Sequence, residues 1–424
     1  MGPHGIKENS SPPDAAPEGI LRSSRGEKMR NFWKRSKWKR AVLLGLSALA
    51  VMMSAGGCGT IGRVQYQLSG AGVESWEEAA AEAGIETLTE EYYYENLPED
   101  LREAYREMYV RIMRNEDSAE IYSEITTEDF WKVYYGILAD HPEIFWIGKS
   151  VQVQESGLTG HVVSYEFETT VPQEERETMR GQLEAAADAC LAGISQEAST
   201  YEKIKYVYEY IINSTDYNEN GQDTQNIQSV LLYHSSVCAG YSKAFQYLLN
   251  RMGLFCTYIT GTIRDGGDHG WNLVRIDDSY YYVDVTWGDP VFANQMEGQE
   301  STVMNYNYLC CTEEDLFKTH EPDGTVPLPP CTSQAYNYYM LNGMYYETFD
   351  YDTIYNRLME SVWNGDASIV MKFGSQEAYD TAVYEILEGG MLNDAGQYLM
   401  EQNGVSTWNY RYQTDDNFFV FTLY

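Results

Sequence analysis

Apolar residues recur at helical spacing along much of the chain. Leu101, Tyr105, Met108, Tyr109 and Ile112 mark a first amphipathic helix; Phe130, Val133, Tyr134 and Ile137 mark a second over about Thr127–Ala139. Two strand-like runs, FWIGKSVQVQ and HVVSYEFET, follow around the turn ESGLTG. Further on, Ile204, Val207, Tyr208, Ile211 and Ile212 share a helix face. From Cys238 the apolar set is Tyr241, Ala244, Phe245, Leu248, Leu249 and Met252, a full buried stripe that Gly253 ends.

Two β-rich runs around DDS in HGWNLVRIDDSYYYVDVTWGDP predict a hairpin. A two-residue turn at Asp277-Asp278 or Asp278-Ser279 puts Val274, Ile276, Tyr281, Val283 and Val285 on an apolar face. The other face then carries His269, Trp271 and Leu273 with Tyr282, Asp284 and Thr286, so His269 and Asp284 become neighbours on adjacent strands.

A gap-free shift of 249 residues lays residues 115–138 over 364–387. Asn115, Asp117, Glu128, Tyr135, Ile137 and Leu138 then meet identical residues. The shared helix–strand–helix order fits a diverged repeat, and equally two unrelated modules of common periodicity. The expected class is α+β, with two small α/β modules flanking a central unit. The expected divisions are 1–57 for targeting, 58–87 as a tether, 88–180 as the first module, 181–322 as the central domain, 323–333 as a Pro-rich linker and 334–424 as the last module.

Charge changes the picture at the N-terminus. Of 29 Lys and Arg among 424 residues, ten stand in residues 1–40 beside four acidic ones, so the remainder sets 19 basic against 60 acidic residues. Such a body repels phosphate backbones and argues against nucleic-acid binding; the acidity itself reads as a solvated surface. The basic residues precede the uncharged run AVLLGLSALAVMMSAGG, a secretory pattern, with Met29 as an alternative start. SAGGC resembles a bacterial lipobox, with Ala55 where such boxes usually carry Leu; that likeness implies lipidation at Cys58, export and a membrane anchor. Ordinary cleavage nearby and an uncleaved anchor are the alternatives. The seven cysteines contain no CxxC pair and no regular spacing, and acidic clusters such as NEDS and TDDN lack ligand spacing, so no metal or cofactor is expected.

Cys238 opens a buried helix, where unpaired N–H groups and the positive dipole end favour a thiolate. Taken alone, it is a small core residue at a helix start. With His269 and Asp284 on one hairpin face the three satisfy the logic of a triad: a base takes the thiol proton and an acid fixes the base's tautomer.

The stretch VCAGYSKAFQYLLNRMGL…CTYITGT…HGWNLVRIDDSYYYVDVTWGDP resembles the transglutaminase-like superfamily, a papain-like group, over roughly Thr200 to His320, including the tail YNYLCCTEEDLFKTH. The resemblance implies a catalytic Cys238, His269 and Asp284, with the cysteine at a helix start and the other two on successive antiparallel strands. Trp271-Asn272 matches the family's H-[AG]-W-N and Thr286-Trp287 its D-x-T-W; Gly270 stands for the commoner Ala, an exchange expected to matter little. It further implies acyl transfer through a thioester, with water or an amine as acceptor, on a peptide or protein substrate such as a cell-wall or surface protein. The Cys238 N–H would serve the oxyanion, with Tyr233, His234, Ser235 or Trp271 as candidates for the second donor. The other expectation is a non-catalytic surface scaffold with this fold.

Overall fold

The structure, a computed structural model, describes residues 80, 91–264, 267–290, 304–404 and 406–424. The targeting segment, Cys58 and nearly all of the tether lie outside the described residues. Among the described residues, no helix is long and apolar enough to cross a membrane.

The first module holds helices α1 (Glu99–Met113) and α2 (Thr127–Asp140) and strands β1 (Ser118–Glu120), β2 (Ile147–Glu155) and β3 (Val162–Thr169). Thr126 caps α2 by accepting from the Asp129 N–H. The three strands form an antiparallel sheet in the order β1-β3-β2.

Helices α3 (Gln173–Leu191) and α4 (Thr200–Ser214) follow, α4 opening on a Ser199–Glu202 capping box. Short parallel strands β4 (Asp216–Tyr217) and β5 (Ser235–Ser236) lead into α5 (Cys238–Arg251). A four-stranded antiparallel sheet, ordered β8-β7-β6-β9, comprises β6 (Cys256–Ile263), β7 (Asp268–Ile276), β8 (Ser279–Val283) and β9 (His320–Pro322). The hairpin turns at Asp277-Asp278, with Asp277 at φ 53°, and pairs Asn272 with Val283 and Leu273 with Tyr282.

The last module contains α6 (Tyr351–Asn364), α7 (Gln376–Leu387) and α8 (Met391–Asn403). Its sheet is ordered β10-β11-β13-β12, from β10 (Tyr345–Tyr346), β11 (Ile369–Phe373), β12 (Tyr412–Asp415) and β13 (Val420–Leu423). Here β11-β13-β12 repeats the antiparallel arrangement of β1-β3-β2, with the final strand in the middle. Helix α7 begins at residue 376, where the 249-residue shift of α2 puts it. Helix α8 and the parallel edge strand β10 have no counterpart in the first module.

Two expected divisions do not separate folded units. Residue 180 falls inside α3, and one core runs from Phe130, Ile144 and Trp146 through Leu183 and Ile204 to Tyr241, Phe245, Val274 and Tyr281. The stretch 323–333 is also packed: Val326 and Cys331 are buried, and the Glu313 N–H donates to the Cys331 carbonyl at 2.8 Å.

The central sheet is buried on both sides. Val274, Ile276, Tyr281 and Val283 share the core that contains α4 and α5. Ile259, Trp271, Leu273 and Tyr282 face a second cluster completed by Tyr339, Phe418 and Val420 of the last module. A Lys372–Asp315 pair at 3.6 Å, with the lysine buried and the carboxylate partly so, and an Asn307–Asp415 hydrogen bond at 3.1 Å add polar ties to that module.

Candidate active site

The start of α5 is fixed before any chemistry is considered. The pairing of β5 with β4 holds Ser235-Ser236 just before it. Ser236 Oγ lies 2.7 Å from Ser229 Oγ and donates within reach of the Thr224 carbonyl at 3.2 Å. Gly240 is packed so closely that a Cβ there would collide with both serine hydroxyls and with the Thr224 carbonyl. Tyr241, one residue on, donates its hydroxyl to the Thr215 carbonyl or to Asp289, each at 2.8 Å.

The same helix is bolted to β7. Ser242 Oγ donates to the Gly270 carbonyl at 2.9 Å, and Asn272 Nδ2 returns to the Ser242 carbonyl at 3.0 Å. These bonds fall one and three residues after His269 and tie the strand carrying the imidazole to the helix carrying the thiol. Val237 is extended and Cys238 is the first helical residue, with no side chain capping that end. Of the six cysteines described, Cys238 alone is not fully buried, and none forms a disulfide. Burial pushes the thiols of Cys190 and Cys331 up to about 12, and those of Cys256, Cys310 and Cys311 well up too, so these five stay protonated.

The His269 ring is buried, with Nε2 2.6 Å from Asp284 Oδ2. Cys238 is the ring's other polar neighbour. Burial alone would lower the basicity of this imidazole. The Asp284 carboxylate, with a further contribution from Cys238 beside the ring, outweighs burial and holds it up to about 10. Asp284 is buried too, which would raise its carboxyl; instead the His269 and His320 donors hold it well below the usual carboxylate range. Its Oδ1 accepts from the Thr286 N–H at 2.9 Å and the Trp287 N–H at 3.1 Å, which is the local work of the D-V-T-W stretch.

Trp271 is wholly buried and stacks on His269, with centroids 6.1 Å apart and planes 26° apart. It braces the imidazole from the core, and its indole N–H finds no acceptor among the described residues. Tyr233 is half-buried, His234 is exposed, and Ser235 Oγ accepts from Asn218 Nδ2 at 3.1 Å. Two tyrosines that the sequence reading did not single out, Tyr217 and Tyr258, interact electrostatically with Cys238, and burial raises both hydroxyls. The equivalence of Gly270 and Ala is also corrected: a Cβ on residue 270 would collide with the Tyr258 ring.

His320 was legible only as the last residue of the FKTH tail, with no role attached. Its Nε2 lies 2.9 Å from Asp284 Oδ2, the oxygen that His269 also uses. His269, Asp284 and His320 thus form a tight cluster of metal-ligating residue types. Hydrogen bonds account for it, because an ionised carboxylate oxygen only accepts and both Nε2 atoms must therefore donate to it.

With the geometry in place, comparison with known proteins places the central unit. Residues 188–285 match the sequence pattern of the transglutaminase-like superfamily. The chain carries a transglutaminase-like domain. Kyphoscoliosis peptidase of Homo sapiens is 22% identical over 153 residues, covering 32% of this chain and 23% of that protein. The Mus musculus protein is 21% identical over 155 residues, covering 32% and 22%. The chain therefore spans less than a quarter of these relatives. Among solved structures, a TGase gives a TM-score of 0.24 at 15% identity, over 40% of this chain and 50% of that one. A candidate cysteine protease from Cytophaga hutchinsonii gives 0.23 at 11% identity, over 34% and 64%. The transglutaminase-like match ends at residue 285, so it takes in Cys238, His269 and Asp284 and stops short of His320.

Proposed function

We propose that the transglutaminase-like domain is a cysteine-dependent acyl-transfer enzyme acting on peptide or protein amides. The observation that carries this reading is the buried Asp284–His269 bond of 2.6 Å, on a ring that also interacts electrostatically with Cys238, the least buried of the described cysteines. The Cys238 sulfur attacks the amide carbonyl as its proton resides on His269. The His269 ring then gives that proton to the leaving amine, and a thioester remains on Cys238. Water releases an acid, and a second amine instead forms a new amide. Asp284 stays ionised throughout and stabilises the imidazolium. The Cys238 backbone N–H, at the helix start, is placed to meet the developing oxyanion.

Iodoacetamide labelling with peptide mapping tests this. Cys238 is expected to label at least about tenfold faster than any other described cysteine, since a thiolate is the reacting form, and His269→Ala is expected to abolish the difference. Equal rates at all cysteines would leave the scaffold reading. Trapping an acyl group on Cys238 from a peptide library, read by mass spectrometry, would then name the substrate. Cell-wall peptides and surface proteins are the natural candidates if the chain is exported and lipid-anchored at Cys58. The basic–apolar–small order of residues 30–58 supports that location. Loss of membrane fractionation in Cys58→Ala would bear it out; unchanged fractionation would remove it.

A further inference from the structure

His320 sits two strands away from His269, across β6. In the sheet register Gly261 opposes His269 on one side and Pro322 on the other, and Ile263 opposes His320, so both histidines occupy the same face. Gly261 makes room between them: a Cβ there would strike the tip of the Trp271 ring, 2.6 Å away, and the backbone of β9. The His320 side chain has no exposed surface. Trp271, Trp287 and Tyr308 enclose it, with ring centroids 5.1, 5.0 and 6.0 Å away. Its polar partners are Asp284 Oδ2 at 2.9 Å and Thr319 Oγ1, 2.7 Å from Nδ1.

An imidazole is costly to bury in an aromatic box unless its nitrogens are used. Satisfying the carboxylate does not explain it. Asp284 Oδ1 already accepts two backbone N–H groups, and Oδ2 already accepts from His269. A second imidazole at Oδ2 competes with the first for the same lone-pair charge. Each extra donor to a carboxylate stabilises its anionic form and makes it a weaker acceptor for the others.

Resting on the reading of Cys238, His269 and Asp284 given above, we propose that His320 is a positioning residue of this site: by donating to the same Asp284 oxygen as His269, it takes up part of the carboxylate's charge and limits how tightly His269 holds its proton. A ring that gripped its proton harder would be a poorer acid toward the leaving amine. The other ionisable groups facing the pair do not compete at ordinary pH. Burial holds the hydroxyls of Tyr208 and Tyr217 and the Cys311 thiol, which all face Asp284, well above their usual values, and likewise Tyr258 beside Cys238. Asp268 and Asp323 lie on the Tyr258 side and are exposed.

The test reads the ring itself. The full chain has six histidines, few enough to assign each by substitution in protein labelled with nitrogen-15 on histidine. In His320→Leu the His269 ring is expected to titrate higher than in the wild type, by roughly half a unit or more. In His320→Gln, which keeps an N–H donor, the titration returns toward the wild-type value. Should the leucine variant fail to fold, His320→Asn carries the same comparison, being polar but too short to reach Oδ2. An unchanged or lowered His269 titration without the donor would overturn the proposal, and so would a glutamine variant displaced as far as the leucine one. Iodoacetamide labelling of Cys238 in the wild type and His269→Ala judges the catalytic reading separately, because the ring titration moves or stays regardless of whether the thiol reacts.

Discussion

The ring of Tyr258 occupies the space in which a side chain on residue 270 would stand. Tyr258 faces Asn272 in the β6–β7 register and leans diagonally over Gly270, so a Cβ there would lie 2.6 Å from Tyr258 Cζ. Backbone conformation plays no part, because Gly270 lies within a regular strand. The glycine is instead the price of a tyrosine beside the thiol. Gly270→Ala is therefore expected to destabilise the protein by about 1–3 kcal/mol through overpacking and to slow Cys238 labelling by shifting His269. Adding Tyr258→Ala should recover much of the stability, and Tyr258→Phe should not, because the ring carbons still collide. Urea unfolding of the two singles and the double measures this coupling, and strict additivity would contradict it.

That relationship shows where sequence reading stops. The α5 stripe and the hairpin register were legible because they rest on local period and on one apolar face that only a two-residue turn keeps intact, as the Leu273–Tyr282 pairing shows. The fit of Tyr258 to Gly270 crosses strands diagonally and leaves no periodic signal. His320 is a lone histidine on a three-residue strand, and nothing in its neighbourhood along the chain points back to Asp284. The shared core was missed because α3 buries only Arg176, Leu183, Ala187 and Cys190, a stripe too thin to distinguish from a solvated boundary helix.

Asn272 is the residue whose polar atoms hold the site together without touching the thiol. Its Nδ2 donates to the Ser242 carbonyl at 3.0 Å and, at 3.4 Å, is within reach of the Thr257 carbonyl. Asn272→Leu has nearly the same volume and leaves those buried carbonyls short of a donor. The expected loss is about 1–3 kcal/mol, together with slower Cys238 labelling because α5 and β7 are no longer tied beside His269. Thermal unfolding and labelling rates check the two parts, and a stable variant with wild-type labelling would show that Ser242–Gly270 suffices alone.

The Asp284–His269 pair makes stability depend on pH in a defined direction. His269 is raised in the folded chain from 6.5 to about 10. Its contribution is therefore fully present below pH 6.5 and is lost as pH climbs through about 10. Asp284 is lowered, so its contribution is full above the usual carboxylate range and is lost progressively as pH falls below that range. Asp284→Asn breaks the pair and is expected to cost about 3–5 kcal/mol near pH 6. The cost should shrink above pH 10, where His269 in the wild type has lost its proton. Urea melts of both proteins at the two pH values check this; an equal cost at both would mean that the ring carries no charge in the folded chain.

Lys243 supplies the opposite case, on helix α5. It is 9% exposed, and its ammonium reaches Asn226 Oδ1 at 3.4 Å with no carboxylate in ion-pair range among the described residues. Burial pushes its amine down to about 8 from 10.5. The unfolded chain thus binds the proton more tightly than the folded one, and stability contributed by this site rises with pH between those two values. Lys243→Met keeps the straight chain and removes the charge, so it is expected to stabilise the protein by about 2–3 kcal/mol at pH 7, with the gain fading toward pH 10.5. Cys238 labelling should not change, because Lys243 contacts none of the triad side chains. Denaturant unfolding across pH 7 to 10.5 decides it. A destabilised variant at pH 7 would mean that the amine is worth more to Asn226 than its burial costs, and that the charge is part of what holds α5 in place.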